Sequence, residues 1–290
     1  MFIFQSDWKV IPMAALIAGL VSMAIGSGLF VSQEGTLQGA FALACVCIWN
    51  GFFNSIQVIC RERPIIKREH RAGMHISSYV AAHLIYQMII CIAQSLITIL
   101  VLNVTQVKLN LDPLIFKDFR MDLAVTMFLI TYSADTLALL VSSIVHSTTT
   151  AMTVMPFLLI VQLVFAGFFS LPESLNGVSD LMISKWGVQC LCAIGNYNDQ
   201  PAVVIWNKLV SSGNKIEVGP GLTMMDILHE VEELGLRDEV LAQLGKANYN
   251  AKYESTTANV YKSWGILVLF VVVFSFVTVA FLEFIDKDKR

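Results

Sequence analysis

Apolar and charged positions are sharply segregated along this chain. No Asp, Glu, Lys or Arg occurs within 10–32, 35–60, 72–107, 136–172 or 263–282. A helix rises about 1.5 Å per residue and a bilayer core is about 30 Å thick, so about 20 apolar residues make a span. The first four runs exceed that length and the last just reaches it. The run 136–172 is too long for one span, and it breaks at Ser142-Ser143 and at His146-Ser147-Thr148-Thr149-Thr150. Extending its first half back to Leu123 gives one span, and 151–171 gives another. Six spans are therefore predicted, at about 10–31, 37–59, 80–104, 122–145, 151–171 and 263–284. The fold class is all-α: a polytopic membrane protein forming a single transmembrane domain over 1–290.

Composition strengthens this reading. Hydrophobic residues make up 56% of the 290 positions and charged residues only 14%, against roughly 25% charged in a soluble domain. A soluble globular protein of this size would lack the charge to cover its surface. The first apolar run follows Asp7 and Lys9, has no basic leader and is longer than a signal-peptide core, so it reads as a span and not as a cleaved signal. Cysteines stand at 45, 47, 60, 91, 190 and 192. The first four lie in or beside apolar runs and read as small hydrophobes. Cys190 and Cys192 have a spacing that suits neither a usual disulfide nor a zinc knuckle, which leaves pairing within an oligomer open.

Loop charges give a topology. Basic residues concentrate on the cytoplasmic side of short loops. Arg61, Arg63, Lys67, Arg68 and Arg71 follow the second span, Lys287, Lys289 and Arg290 end the chain, and Lys9 precedes the first span. With six spans all three regions share one side, so both termini are expected in the cytoplasm and the protein in the plasma (inner) membrane of a bacterium. A large external region, about 172–262, then lies between spans five and six. Its first part keeps Trp186, Val188, Leu191, Ile194 and Trp206 and is expected to pack on the spans as short helices. Its second part is acidic, with Asp226, Glu230, Glu232, Glu233, Asp238 and Glu239. One soluble helix is predicted over 224–244, capped by Thr223 with Asp226 three residues on and ended by Gly245. That helix either lies on its own domain or offers a docking face to an extracellular partner.

The loop after the second span carries the candidate chemistry. It reads Cys-Arg-Glu-Arg-Pro-Ile-Ile-Lys-Arg-Glu-His-Arg-Ala-Gly-Met-His-Ile-Ser-Ser-Tyr over 60–79. This is a short mixed-charge helix, about 61–72, in which Arg63 or Lys67 can pair with Glu62 and Glu69. Pro64 fits the first turn of a new helix. On charge alone it could be a solvated anchor that fixes topology. Its order of residues resembles the type-2 ABC exporter permeases, especially the G subfamily of ABC transporters and related bacterial proteins. The matching features are Glu62-Arg63, then Ile65-Ile66, Arg68-Glu69, Gly73 and Ser78-Tyr79. Further along, Gly167-Phe168-Phe169-Ser170-Leu171-Pro172, Ser184-Lys185-Trp186-Gly187 and Asn196-Tyr197-Asn198 are similar to the same family. The acidic insert, about 207–258, departs from it.

The resemblance implies a function. The helix holding Glu62, Arg63, Lys67, Arg68 and Glu69 becomes a cytoplasmic coupling helix that sits on an ATPase. Two copies, or one copy with a related permease, enclose a path for an amphipathic lipid, drug-like molecule or peptide leaving the cytoplasm or inner leaflet. Spans two and five would line it through Phe52, Phe53, Asn54 and Gln57, and through Pro156, Gln162, Phe165 and Phe169. Ordinary helix packing is the alternative for each of these residues. The chain has no Gly-x-x-x-x-Gly-Lys-Ser/Thr loop, so ATP and Mg are expected on a partner ATPase, separate or fused upstream, with no cofactor on this half-transporter itself. Membrane lipid is the remaining partner, and nucleic acid is not one.

Asp135 stands apart, because an acid within a span faces a cavity or a partner. It is the key charge if the protein is instead an ATP-independent channel or proton-coupled transporter. The preferred reading places it in the protein interior, bonded to Thr131, Ser133 or a neighbouring helix. A membrane enzyme lacks a His-Glu-x-x-His pattern or a nucleophile motif here, and a structural or sensory role would rest on the acidic external helix.

Overall fold

The computed structural model describes residues 10–105, 107, 109–167, 172–213, 216–219 and 221–283. Six apolar helices occupy the segments expected to span: α1 (Val10–Ile25), α2 (Gln33–Ser55), α4 (Ile76–Val104), α5 (Phe119–Ile144), α6 (Thr148–Val164) and α12 (Thr257–Glu283). The charged helix α3 (Val58–Arg71) follows α2 almost directly. By length and composition, four helical stretches can cross a membrane: Gln33–Arg71, Ile76–Val104, Phe119–Ile144 and Thr257–Glu283. The α1 helix has 16 residues and α6 has 17, about 24–26 Å of helix against a core of about 30 Å.

Local sequence explains several boundaries. Ser147 accepts a hydrogen bond from the Thr150 N–H at 3.1 Å and opens α6, so the break expected at 146–150 is an N-cap. Asp118 caps α5 through the Arg120 N–H at 3.0 Å. Buried Asp122 accepts from the backbone N–H groups of Leu114, Ile115 and Phe116 at 2.8, 3.2 and 3.0 Å. The loop before α5 is thus folded around a carboxylate, and this span begins at Phe119, before the expected 122.

Other boundaries differ from expectation. The α2 helix ends at Ser55, and α3 starts at Val58, three residues before the expected coupling helix. Neighbouring side chains take the backbone groups at this break. The Cys60 N–H donates to Ser142 Oγ at 3.1 Å, and the Asn54 carbonyl accepts from Gln87 Nε2 at 3.4 Å. Pro64 consequently lies inside α3 and not in its first turn. It removes the hydrogen bond that the Cys60 carbonyl would otherwise receive within the helix. The last span starts earlier than 263, at Thr257, and its final expected residue, Phe284, like Phe168 to Leu171 after α6, lies outside the described residues.

The core is organised around α5, which packs on α2, α4 and α12. In lipid, apolar area gives little drive for one helix to leave the bilayer for another, so close backbone packing matters most. Gly51 supplies it: a Cβ built there would lie 2.3 Å from the Thr131 carbonyl oxygen. Phe52, Phe119, Leu123 and Met127 fill the surrounding core.

The two ends of the bundle differ. At one end α3 packs Ile59 and Ile66 against Ile76 and Val80 of α4, Leu139 of α5 and Leu282 of α12. At the other end sits the 172–256 region. It contains α7 (Asn176–Asp180), α8 (Ile183–Ile194), α9 (Val203–Ser212), an antiparallel pair β1 (Glu217–Gly219) and β2 (Leu222–Thr223), α10 (Met224–Glu233) and α11 (Arg237–Ala247). The α8 helix is buried among α2, α5 and α12, as its apolar sequence leads one to expect. The single helix expected over 224–244 is instead two. Gly235, at φ +70°, turns the chain after α10, a conformation that residues with a Cβ resist. The Thr223–Asp226 capping box does form. Gly245 does not end α11, which continues to Ala247; the glycine lets α11 approach the Gln200 carbonyl, where a Cβ would stand 2.4 Å away. Trp206, Leu228 and Leu241 form a small separate core for these helices.

Gln33, at the start of α2, clasps this subdomain. Its Nε2 donates to the Gly245 carbonyl at 2.8 Å, and its Oε1 accepts from Asn248 Nδ2 at 3.1 Å. Because Gln33 opens α2 and α3 follows its other end, the subdomain and the charged helix occupy opposite ends of the bundle.

Candidate functional site

The charged helix has two faces, and they divide the residues grouped by sequence. Glu62 turns toward α4: its Oε2 accepts from the Tyr79 hydroxyl at 2.7 Å and lies 3.3 Å from His83 Nε2. The His83 hydrogen bond, opposed by partial burial and helped by Tyr79, lowers the Glu62 carboxyl below its ordinary value. Arg63 donates to the Ser143 carbonyl at the end of α5. The Cys60 thiol reaches the carbonyls of Ser142 and Val145 at 3.1 and 3.3 Å. These bonds and buried Ile66 fasten α3 to the bundle. Lys67 is half-buried, whereas Arg61, Ile65, Arg68 and Glu69 are exposed. Ile65, at 48% exposure, is an apolar side chain set among outward charges.

A cavity of about 200 Å³ opens where α2, α3 and α6 meet, lined by Phe53, Asn54, Ile56, Gln57, Val58, Arg61 and Met152. Three residues expected on the path, Phe53, Asn54 and Gln57, share it. Asn54 also forms a reciprocal amide pair with Gln94 of α4, both bonds 3.0 Å, and stands 3.7 Å from Cys91 Sγ. Above the cavity the rings of Trp49 and Phe53 pack at a tilt of 37° on the outer face of α2, with centroids 5.4 Å apart. Met152, Pro156, Phe157, Ile160 and Val161 continue an exposed apolar face on α6.

The other path residues are distributed differently. Phe52 is fully buried in the core. Gln162 is also buried; its Oε1 accepts from the Ser184 N–H at 3.1 Å and its carbonyl accepts from the Ser184 hydroxyl, so it anchors α8 to α6. Phe165 is half-buried just after α6. Phe169 lies outside the described residues.

Asp135 is enclosed by protein. Ser55 Oγ of α2 donates to its Oδ1 at 2.6 Å, whereas Oδ2 has no partner. Thr131 and Ser133 bond to backbone carbonyls instead. The carboxylate therefore joins α5 to the neighbouring helix α2, as the interior reading expects, one helical turn from the Gly51 contact. All six cysteines are free thiols. Among the described residues no three His, Cys, Asp or Glu side chains converge as a metal site.

Arg61 and Met152 belong to the cavity but were not singled out by sequence. Arg61 follows Gln57 by four residues and Phe53 by eight, a helical repeat that continues the face of α2 into α3. Met152 had no such signal, because α6 reaches the cavity only through the fold.

The family model ABC2_membrane, described as ABC-2 type transporter, matches residues 3–194, about two-thirds of the chain. No curated protein matches.

Proposed function

The chain belongs to the ABC-2 type transporter family and is a multi-pass permease of an ABC transporter, and from that premise we propose that it is the membrane half of an ATP-driven exporter of amphipathic substrates. The observation that carries the proposal is the outward face of α3. Permeases of this family generally partner with ATPase subunits. A helix fastened to the bundle by Glu62, Arg63, Cys60 and Ile66, while presenting Ile65, Arg68 and Glu69 outward, suits a firm contact with such a subunit. ATP and Mg would be bound there, and this chain would not hydrolyse ATP itself.

Six spans complete the reading, with α1 and α6 as the short ones. The basic residues of α3 support a cytoplasmic position for its end of the bundle, with both termini on that side of a bacterial inner membrane. The apolar α2 and α6 face, from Trp49 and Phe53 to Phe157 and Ile160, meets a second copy or a related permease and encloses the path. Closure of the ATPase pair pushes α3, and the bistable interface opens outward. The finer likeness to the G subfamily rests on the order of residues over 60–79.

Co-purification tests this. An ATPase should stay bound to the chain extracted from its own membranes and be lost from Ile65→Asp or Arg68→Glu/Glu69→Lys, while Gln38→Ala retains it. A purified complex that never contains an ATPase refutes the proposal.

A further inference from the structure

The cavity at the foot of α2 has a chemistry narrower than "amphipathic". Among the described residues that line it, Arg61 alone carries a charge. Gln57 adds an amide one helical turn away, and Phe53, Ile56, Val58 and Met152 supply apolar walls. The nearest acid in sequence, Glu62, bonds Tyr79 and His83, and its charge also attracts Arg61. A guanidinium is weakly hydrated and presents a planar fork of donors that matches phosphate, sulfate or carboxylate oxygens. Phe53 and Trp49 precede Arg61 by eight and twelve residues, on α2 across the break before α3. Their ring pair is exposed on the same side as the cavity. Cation at one end and an aromatic strip leading away from it match a molecule with one anionic head and one apolar tail.

We propose that this cavity selects anionic amphiphiles, with a phosphate, sulfate or carboxylate head on Arg61 and Gln57 and an apolar tail along Phe53 and Trp49. The proposal rests on the α2 and α6 face being the transport path and names the substrate class for it. A cationic amphiphile meets like charge at Arg61, and a neutral one brings the guanidinium no anion within the cavity. A bilayer phospholipid and a water-borne single-chain anion offer the same head chemistry.

The test is equilibrium binding to the full chain in phosphatidylcholine nanodiscs, with radiolabelled dodecyl phosphate as the probe. Dodecyl glucoside supplies the same tail without charge, and inorganic phosphate supplies the head alone. Dodecyl phosphate should bind at least tenfold more tightly than either, since a charge-assisted pair of this kind is worth about a factor of ten or more. Arg61→Gln should abolish that preference, Arg61→Lys should keep part of it, and Arg120→Gln, at the other end of the bundle, should keep all of it. Doping the discs with phosphatidylglycerol separates the sources: competition identifies a lipid of the bilayer as occupant, and its absence a free amphiphile. Equal binding of dodecyl phosphate and dodecyl glucoside, full preference in a folded Arg61→Gln, or displacement by inorganic phosphate at the probe's own concentration overturns the proposal. Such a failure with an ATPase still co-purifying removes the substrate class and leaves the exporter reading standing.

Discussion

The contact between α2 and α5 can be tested by adding one methyl group to Gly51. A Cβ there falls 2.3 Å from the Thr131 carbonyl oxygen and 2.8 Å from both Ala134 Cβ and the Asp135 nitrogen. Two of these three atoms are backbone, so no rotamer change relieves the clash. Ordinary contact begins near 3.4 Å, and the two helices must part by about 1 Å, enough to forfeit a quarter to a half of the local dispersion energy. Overpacking of this kind costs about 1–3 kcal/mol. The Ser55–Asp135 bond, 2.6 Å long and one turn along the same face, would stretch beyond hydrogen-bonding distance, bringing the total to roughly 3 kcal/mol. Gly51→Ala should therefore lower the melting temperature in detergent by about 5–10 °C. A thiol-reactive dye reads this directly, because Cys47, Cys91, Cys190 and Cys192 are free and buried. Gly265→Ala is the control: no heavy atom lies within 4 Å of its added Cβ, and the exchange should be neutral or gain up to about 1 kcal/mol of helix propensity. A Gly51→Ala melt within a degree of the parent, or an equal drop in Gly265→Ala, refutes the close-approach argument.

Ser55→Ala leaves both oxygens of buried Asp135 without a partner, because Oδ2 already lacks one. It should cost about 2 kcal/mol, and a double-mutant cycle with Asp135→Asn should recover part of that loss if the two residues act as a pair. Glu62 has a lowered folded-state value, so the stability it contributes is present above its ordinary value of 4.5 and is lost as pH falls through the lower folded value. Hydrogen exchange in 58–71 should rise on acidification through that window in the parent and become less pH-dependent in Glu62→Gln; identical acid profiles count against the attachment. Gln33→Ala removes both bonds to the 245–248 segment and should cost about 1–2 kcal/mol. Limited proteolysis within 203–247 should accelerate while the buried thiols stay protected, and unchanged cleavage would mean the clasp does not hold the subdomain.

Much of the fold was legible in the chain because a bilayer imposes a simple length rule. Five uncharged runs, the longest of them split in two, located six apolar helices, and the Ser and Thr cluster at 146–150 located the break between α5 and α6. Helix ends were less legible where the deciding partner is distant in sequence. The break at 56–57 is met by Gln87 and Ser142, and Phe119 opens α5 because Asp122 gathers the preceding loop. Gly235 could have divided the helix expected over 224–244, but apolar spacing continued through it. Of the path residues, Phe53, Asn54 and Gln57 lie together, whereas Phe52 and Gln162 turn inward. Sequence spacing ranks side chains around one helix, but it does not say which neighbour covers which face.

The charged helix shows the same division. The sequence by itself determined that 61–71 is a dense basic element beside a span, since charge cannot be hidden in hydrocarbon. It also carried the order of residues that resembles an ABC permease. Only the tertiary structure decided that Glu62 and Arg63 fasten the helix to α4 and α5 while Arg61, Ile65, Arg68 and Glu69 remain available. The composition of a helix sets what its side chains can bind, but the helices packed beside it determine which of them are already engaged.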